Sequence, residues 1–189
     1  MEKKPFVTKE QLDEIVKKYP TPFHLYDEKG MRENMKALKE AFSWNKGFRE
    51  YFAVKATPNP FILKILQEYG CGTDCSSLTE LMMSKACGFS GSNVMFSSND
   101  TPPEEFAYAN EMGAIINLDD ITHIQCLEDT LGFIPETISC RFNPGGVFKI
   151  SNDIMDNPGD AKYGMTTEQI FDCLLYTSPS PRDLSTSRM

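Results

Sequence analysis

Residues 51–60 of the chain read YFAVKATPNP, and this stretch decides the fold. A short apolar run leads to Lys55, and a brief loop follows it. Asn59 and Pro60 then offer a helix cap and a proline suited to a first helical turn. The stretch therefore predicts a strand, a loop and the start of a helix, with a lysine at the carboxyl end of the strand.

The same unit repeats along the rest of the chain. The five apolar runs begin near Tyr51, Cys71, Val94, Ala114 and Thr137, at intervals of 20, 23, 20 and 23 residues. Helical patterns lie between these runs. Strands that alternate with helices at this spacing predict parallel strand pairing with right-handed crossovers.

Local signals predict where these helices begin and end. Asn59 is expected to cap the first helix and Gly70 to end it, and Asp120 is expected to cap the fourth helix. Residues 77–80 (SLTE) and 101–104 (TPPE) each fit a capping box, in which two side chains satisfy exposed backbone amides reciprocally.

Two architectures fit this repeat, a doubly wound sheet and a (β/α)8 barrel. No Gly-x-Gly-x-x-Gly follows the first run, which disfavours the dinucleotide-binding sheet. A complete barrel needs about 250 residues, whereas this chain has 189. We therefore predict an α/β fold that supplies the first five or so strands of an incomplete (β/α)8 TIM-type barrel, with exposed strand edges that favour aggregation.

Composition excludes several classes of partner. The net charge of −8 disfavours nucleic acid and anionic membranes. No apolar stretch approaches about 18 residues, and the amino terminus lacks a signal core, so a cytoplasmic protein is expected. The six cysteines are scattered and only two histidines are present, so no metal site is expected. The acidic residues of segment 147–159 fail the spacing of a calcium loop and predict a solvated loop.

Lys55 is the candidate reactive residue. In (β/α)8 barrels, reacting groups lie at the carboxyl ends of the strands. Apolar neighbours would disfavour the ammonium form, and a neutral amine can form a Schiff base. Considered alone, however, a lysine after a strand is more often an ordinary exposed loop residue.

An ordered set of motifs resembles the fold-type III pyridoxal-phosphate decarboxylases, which include the diaminopimelate, ornithine and arginine enzymes. Residues 51–59 resemble the cofactor-lysine motif of that family. Residues 72–80 (GTDCSSLTE) resemble its Gly-x-Asp-x-x-Ser-x-x-Glu pattern. Residues 141–145 (RFNPG) are similar to the Arg-x-Asn-Pro-Gly of the diaminopimelate branch. Residues 161–165 (AKYGM) match a Ser-Lys-Phe-Gly element with conservative departures.

The resemblance implies a role for several side chains. Lys55 would hold pyridoxal 5'-phosphate as a Schiff base, on an alanine-racemase-like barrel. Asp74 and Arg141 would lie beneath or beside the cofactor and help to fix the Schiff base and its charge. Glu80 could hold Arg141 or a neighbouring cation, although a capping role in its own helix is equally open. Lys162 is interpreted as structural or interfacial.

The activity that the resemblance implies is decarboxylation of an amino acid, with the cofactor ring absorbing the released electron pair. In the diaminopimelate branch the substrate is meso-2,6-diaminopimelate, the product is L-lysine, and the complete enzyme would be a homodimer. Decarboxylases of ornithine, arginine or carboxynorspermidine stay open, as does a non-catalytic regulator. Joint retention of Lys55, Asp74 and Arg141 argues against the regulator. The glycine-histidine segment that follows the lysine of alanine-racemase-like enzymes is absent here.

The resemblance also divides the chain into parts. Residues 1–27, with a capping box at residues 8–11 and a strand near residues 21–26, would belong to the β domain of the family. Residues 28–172 would form a truncated cofactor-binding barrel.

The tail, residues 173–189 (CLLYTSPSPRDLSTSRM), resembles a translated sequencing-library adapter and is predicted not to be native. In the family, the phosphate-binding glycine loop, the ring-stacking histidine and the glutamate of the ring nitrogen come later. The chain as given is therefore expected to bind the cofactor poorly and to be inactive.

Overall fold

The structure is a computed structural model, and it describes residues 5–146 and 163–177. The chain divides into two units, Met1–Phe48 and Arg49–Met189. Lys162, the acidic segment 147–159 and most of the predicted adapter segment lie outside the described residues.

The first unit contains two helices, α1 (Lys9–Lys18) and α2 (Glu28–Ala41). The predicted capping box of α1 is confirmed, because Thr8 and Gln11 exchange hydrogen bonds between side chain and backbone. The segment predicted as a strand near residues 21–26 forms no strand in the described structure, since residues 21 and 22 lie in a bend and residues 23–27 have no regular secondary structure. An extended segment needs a neighbouring strand to form a ladder, and the described part of this unit supplies none.

The second unit is built on a five-stranded parallel sheet in the order β1-β2-β3-β4-β5. The strands are β1 (Tyr51–Ala53), β2 (Gly72–Cys75), β3 (Val94–Phe96), β4 (Ile115–Leu118) and β5 (Ile138–Cys140). The helices are α3 (Pro60–Glu68), α4 (Leu78–Ala86), α5 (Pro103–Glu111), α6 (Thr122–Leu131) and α7 (Thr167–Thr177).

The strand order confirms the predicted barrel-type fold. A doubly wound sheet reverses its order at a switch point, whereas here each strand lies beside its neighbour in sequence. The helices also contact one another in order, α3 with α4, α4 with α5 and α5 with α6. Five strands form the described sheet, so it corresponds to an open part of an eight-stranded barrel.

The two faces of the sheet have different surroundings. On one face, buried strand residues such as Phe96 and Leu118 pack with Leu81, Phe106 and Leu127 of the helices. Burial of each such side chain contributes about 1.5–3 kcal/mol. Because side chains alternate along a strand, the intervening residues belong to the opposite face. That face carries the polar side chains of the candidate site.

The predicted helix boundaries are confirmed in part. Asn59 caps α3 by accepting a hydrogen bond from the backbone N–H of Phe61 at 3.0 Å, and Pro60 occupies the first turn. The predicted cap of α6 by Asp120 is not confirmed in detail, because Ile121 is the N-cap and no side chain caps it, although Asp120 accepts a hydrogen bond from the N–H of Thr122 at 2.8 Å. Helix α7 continues to Thr177, past the predicted boundary of the native sequence at residue 173.

The capping box predicted at residues 101–104 is wrong. Helix α5 begins one residue later than the box requires, so that Pro102 is its N-cap and no side chain caps it. The Thr101 hydroxyl is buried without a partner among the described residues. Glu105, in the first turn, instead accepts a hydrogen bond from the N–H of Leu78 at 3.0 Å. The start of α4 is therefore capped from a neighbouring helix, which local sequence rules do not detect.

Candidate functional site

Polar and charged side chains collect at one edge of the sheet. These residues lie in or directly after successive strands, and they are Lys55, Asp74, Ser97, Asp119 and Arg141. Because all five strands are parallel, their carboxyl ends meet at this edge. The three predicted cofactor residues, Lys55, Asp74 and Arg141, are thus brought to the same edge.

Asp74 is the half-buried acid of this edge. It lies in register with Ala53 of β1 and Met95 of β3. Its carboxylate accepts a hydrogen bond from the hydroxyl of Ser97. Burial raises the pKa of Asp74 above its ordinary value, while the Ser97 hydrogen bond and the positive charge of Lys55 act in the opposite direction. Asp74 is therefore an acid whose charge is sustained by its two neighbours.

Lys55 lies in a single 3₁₀ turn, Val54–Ala56, directly after β1. Val54 is fully buried and anchors the turn, whereas the Lys55 side chain is exposed. The apolar enclosure of Lys55 expected from the sequence is therefore wrong for the described part of the chain. Only the preceding residue points into the core, and the amine is left accessible to a ligand.

Arg141 is held by a buried acid that the sequence did not predict. Its Nη1 lies 2.8 Å from Oδ1 of Asp119, the residue that follows β4. The ring of Tyr163 lies 5.1 Å from the guanidinium carbon, within the range of a cation–π contact. The Arg141 backbone is also fixed, since its N–H donates to Leu118 at 2.9 Å and its carbonyl accepts from Met165 at 2.7 Å.

Among the described residues, the hydrogen bonds of the Glu80 carboxylate are made within its own turn and no ion pair joins it to Arg141. The carboxylate accepts hydrogen bonds from the backbone N–H and the hydroxyl of Ser76, both at 2.9 Å. The capping box at residues 77–80 is also incorrect in detail, because Ser77 makes no side-chain cap to α4. Glu80 closes the turn between β2 and α4, one residue earlier than predicted.

Three residues of this edge were missed by the sequence analysis. Ser97 contacts Asp74, Asp119 contacts Arg141, and His123 accepts a hydrogen bond at Nδ1 from the N–H of Asp119 at 3.3 Å. A signal was available for two of them, because Ser97 and Asp119 each directly follow a predicted strand. His123 had no such signal, since it lies inside α6.

Residues 5–146 and 163–177 contain no cluster of three or more His, Cys, Asp or Glu side chains that could hold a metal ion. No helix within those ranges is long and apolar enough to cross a membrane.

The described site is thus part of a parallel barrel, with a lysine after the first strand and with an acid and an arginine at the same edge. The chain matches the family model described as pyridoxal-dependent decarboxylase, pyridoxal binding domain, over residues 28–181. The chain therefore belongs to the pyridoxal-dependent decarboxylases, a family of amino-acid decarboxylases that use pyridoxal phosphate.

Two curated relatives illustrate the range of the similarity. Protein TabA of Pseudomonas amygdali pv. tabaci is 38% identical over 84% of this chain and 36% of its own length. The diaminopimelate decarboxylase of Thermoplasma acidophilum is 31% identical over 71% of this chain and 32% of its own length. The chain thus spans about a third of the length of these relatives.

A solved structure agrees with the fold. Diaminopimelate decarboxylase from Helicobacter pylori, complexed with L-lysine, has a TM-score of 0.80 and 26% sequence identity. The match covers 90% of this chain and 44% of the other. The described sheet corresponds to the amino-terminal portion of that barrel.

The chemistry of the site residues fits pyridoxal phosphate in part. The cofactor carries an aldehyde, which reacts with an amine, and several anionic oxygens. The described edge offers one exposed amine at Lys55, a guanidinium at Arg141 that is half-exposed, and a carboxylate at Asp74.

Proposed function

We propose that the chain is the amino-terminal part of an enzyme that decarboxylates meso-2,6-diaminopimelate to L-lysine with pyridoxal 5'-phosphate. The proposal depends chiefly on the meeting of Lys55, Asp74 and Arg141 at one edge of the sheet. The substrate is proposed from the names of relatives such as the Thermoplasma acidophilum enzyme and from the motif at residues 141–145.

Each site residue has a distinct proposed role. Lys55 would hold the cofactor through its amine. Asp74, supported by Ser97, faces the positive charge of Lys55 and stabilises it. Arg141 presents N–H donors to an anionic oxygen at the same edge. When bound, pyridoxal phosphate supplies the electron sink that accepts the electron pair left by carbon dioxide.

The organisation of the whole protein is part of the proposal. Residues 1–27 belong to a β domain, residues 28–172 to the barrel, and residues 173–189 are adapter sequence. The complete protein is a cytoplasmic homodimer, and the chain as given is inactive. Resequencing of the source gene tests the tail: a frame that departs from the present sequence at residue 173 supports the proposal. A locus that encodes this tail and then stops would contradict it.

The experiment on function uses the protein expressed from the complete reading frame. Purified enzyme with pyridoxal 5'-phosphate is expected to release carbon dioxide and L-lysine from meso-2,6-diaminopimelate. Lys55→Ala is expected to lower this activity by at least about 1000-fold, since loss of a catalytic nucleophile has effects of this order. Lys64→Ala, a change of the same type in α3, is the matched control and should leave activity unchanged.

The same assay separates the rival functions. L-Ornithine, L-arginine and carboxynorspermidine are offered under identical conditions. A higher kcat/KM for any of them would replace the proposed substrate but keep the reaction type. Absence of turnover with all four amino acids, in a protein that folds, would instead favour the non-catalytic regulator.

A further inference from the structure

We infer that Asp119 is a positioning residue for Arg141, and that His123 holds Asp119 in place for this purpose. This inference rests on the proposed function, because it concerns the same cofactor site. Asp119 and His123 act through Arg141 and are not themselves proposed to touch the cofactor.

The two charged partners, Asp119 and Arg141, differ in their exposure to solvent. The Asp119 side chain is 6% exposed, whereas that of Arg141 is 50% exposed. The carboxylate is therefore the fixed member of the pair, and the guanidinium extends from it towards solvent. An arginine carries five N–H donors, and the contact with Asp119 through Nη1 leaves others for an anionic ligand.

Asp119 is itself held in place by His123. Its backbone N–H donates to Nδ1 of His123 at 3.3 Å. His123 lies in the first turn of α6, is 9% exposed, and meets the ring of Phe106 edge-on at 5.7 Å between centroids. Burial lowers the pKa of His123, which favours the neutral ring that can accept this hydrogen bond. The loop after β4 is thus tied to the helix that follows it.

Arg141 is also confined on a second side, by Tyr163. The ring of Tyr163 lies 5.1 Å from its guanidinium carbon, so the side chain lies between an acid and an aromatic ring. A long side chain fixed in this way loses less conformational entropy when a ligand binds. Orientation of Arg141 before binding should therefore raise the affinity for an anionic cofactor.

A purely structural pair is the competing explanation. A buried carboxylate needs a partner for its charge, so Arg141 could serve only to stabilise Asp119. The two explanations differ in cofactor affinity. A structural pair would change the unfolding temperature of the cofactor-free protein without changing the Kd of the cofactor.

The test compares Asp119→Asn with Asp120→Asn in the protein from the complete reading frame. Both variants remove one negative charge from the same loop, and asparagine can still accept the hydrogen bond that Asp120 receives from Thr122. The readouts are the Kd of pyridoxal 5'-phosphate and the unfolding temperature of the cofactor-free protein. Asp119→Asn should raise the Kd about five- to tenfold, and Asp120→Asn by less than about twofold.

A double-mutant cycle decides whether Asp119 acts through Arg141. In an Arg141→Ala background, Asp119→Asn should leave the Kd unchanged. The inference is wrong if Asp119→Asn alters only the unfolding temperature, or if it raises the Kd equally in both backgrounds. Should Asp119→Asn fail to fold, His123→Leu replaces it, and a Kd unchanged by that variant also contradicts the inference.

The same set of proteins separates this inference from the proposed function. If Lys55→Ala keeps full activity, the proposed function fails whatever Asp119 does. If Lys55→Ala is inactive and Arg141→Ala raises the Kd, while Asp119→Asn leaves it unchanged, only the inference about Asp119 fails.

Discussion

Ser97 donates a hydrogen bond from its hydroxyl to the carboxylate of Asp74, so the residue after β3 supports the acid that β2 supplies. Burial raises the pKa of Asp74 because the charged form loses contact with water. The hydrogen bond from Ser97 lowers it again. Asp74 is thus a partly desolvated acid whose charged form is opposed by burial and supported by Ser97.

We predict that Asp74→Asn stabilises the cofactor-free protein and weakens cofactor binding. A carboxyl whose folded pKa exceeds its unfolded value binds protons more tightly in the folded state, so stability falls as the pH rises from about 3.8 through the raised pKa. At neutral pH the folded protein therefore lacks this stability, and Asp74→Asn restores it because asparagine carries no charge. At neutral pH the unfolding temperature should be higher for Asp74→Asn than for the original protein, and unchanged for the exposed control Asp100→Asn. A lower unfolding temperature for Asp74→Asn would contradict this explanation.

Ser97→Ala should act in the opposite direction from Asp74→Asn. Removal of the hydroxyl raises the pKa of Asp74 further and costs about 1.5–3 kcal/mol of stability at neutral pH, the range for a hydrogen bond to a charged group. Ser97→Thr retains the hydroxyl and is the matched control. Urea unfolding of the two variants measures the difference. Equal stability of the alanine and threonine variants would show that this hydrogen bond contributes nothing.

Gly72 is predicted to be intolerant of any side chain. A Cβ at this position would lie 2.6 Å from the carbonyl oxygen of Asn93 and 2.7 Å from the ring of Tyr51. That ring is fixed, because its hydroxyl donates to Ser92 at 2.5 Å. Gly72→Ala should therefore destabilise the protein by about 1–3 kcal/mol through overpacking. In the control Gly47→Ala, the nearest atom lies at an ordinary 3.5 Å, so urea unfolding should show little change.

His123 should make the second unit sensitive to mild acid. Burial lowers its pKa, although the negative charges of Asp119, Asp120 and Asp100 oppose this effect. In the unfolded chain His123 has its ordinary pKa of 6.5, so near this pH it binds a proton more readily than it does in the folded chain. Stability is therefore lost as the pH falls from 6.5 towards the lowered pKa.

The measurement for His123 is thermal unfolding from about pH 7.5 to about pH 5.5. As the pH falls, the unfolding temperature of the original protein should decrease more than that of His123→Gln. His24→Gln, a change of the exposed histidine, is the control and should show no such shift. Parallel pH profiles for the original protein and His123→Gln would be inconsistent with a lowered pKa.

The sequence could predict the features that depend on neighbouring residues. The five strands, their parallel order and the cap by Asn59 follow from apolar runs and turn residues that lie close together in the chain. Lys55 could be placed at the carboxyl edge because reacting groups of parallel barrels lie there, whereas Asp74 and Arg141 were assigned to the site through the family motifs. The family motifs then added roles that the pattern alone did not supply.

The remaining contacts could not be predicted because they join distant residues through side chains. Glu105 caps α4 at Leu78, and Asp119 binds Arg141, but each pair is separated by more than 20 residues. Such contacts depend on the register of adjacent strands and on helix packing. The exposure of Lys55 is of the same kind, since the apolar sequence around it did not reveal which side chains turn inward.

The most direct test of the central claim is the site of cofactor attachment. The protein from the complete reading frame is mixed with pyridoxal 5'-phosphate, reduced with borohydride, digested and mapped by mass spectrometry. The reduced cofactor is expected on Lys55, and Lys64→Ala is expected to leave the labelling unchanged. Attachment to a different lysine in an active enzyme, or activity that survives Lys55→Ala, would contradict this claim.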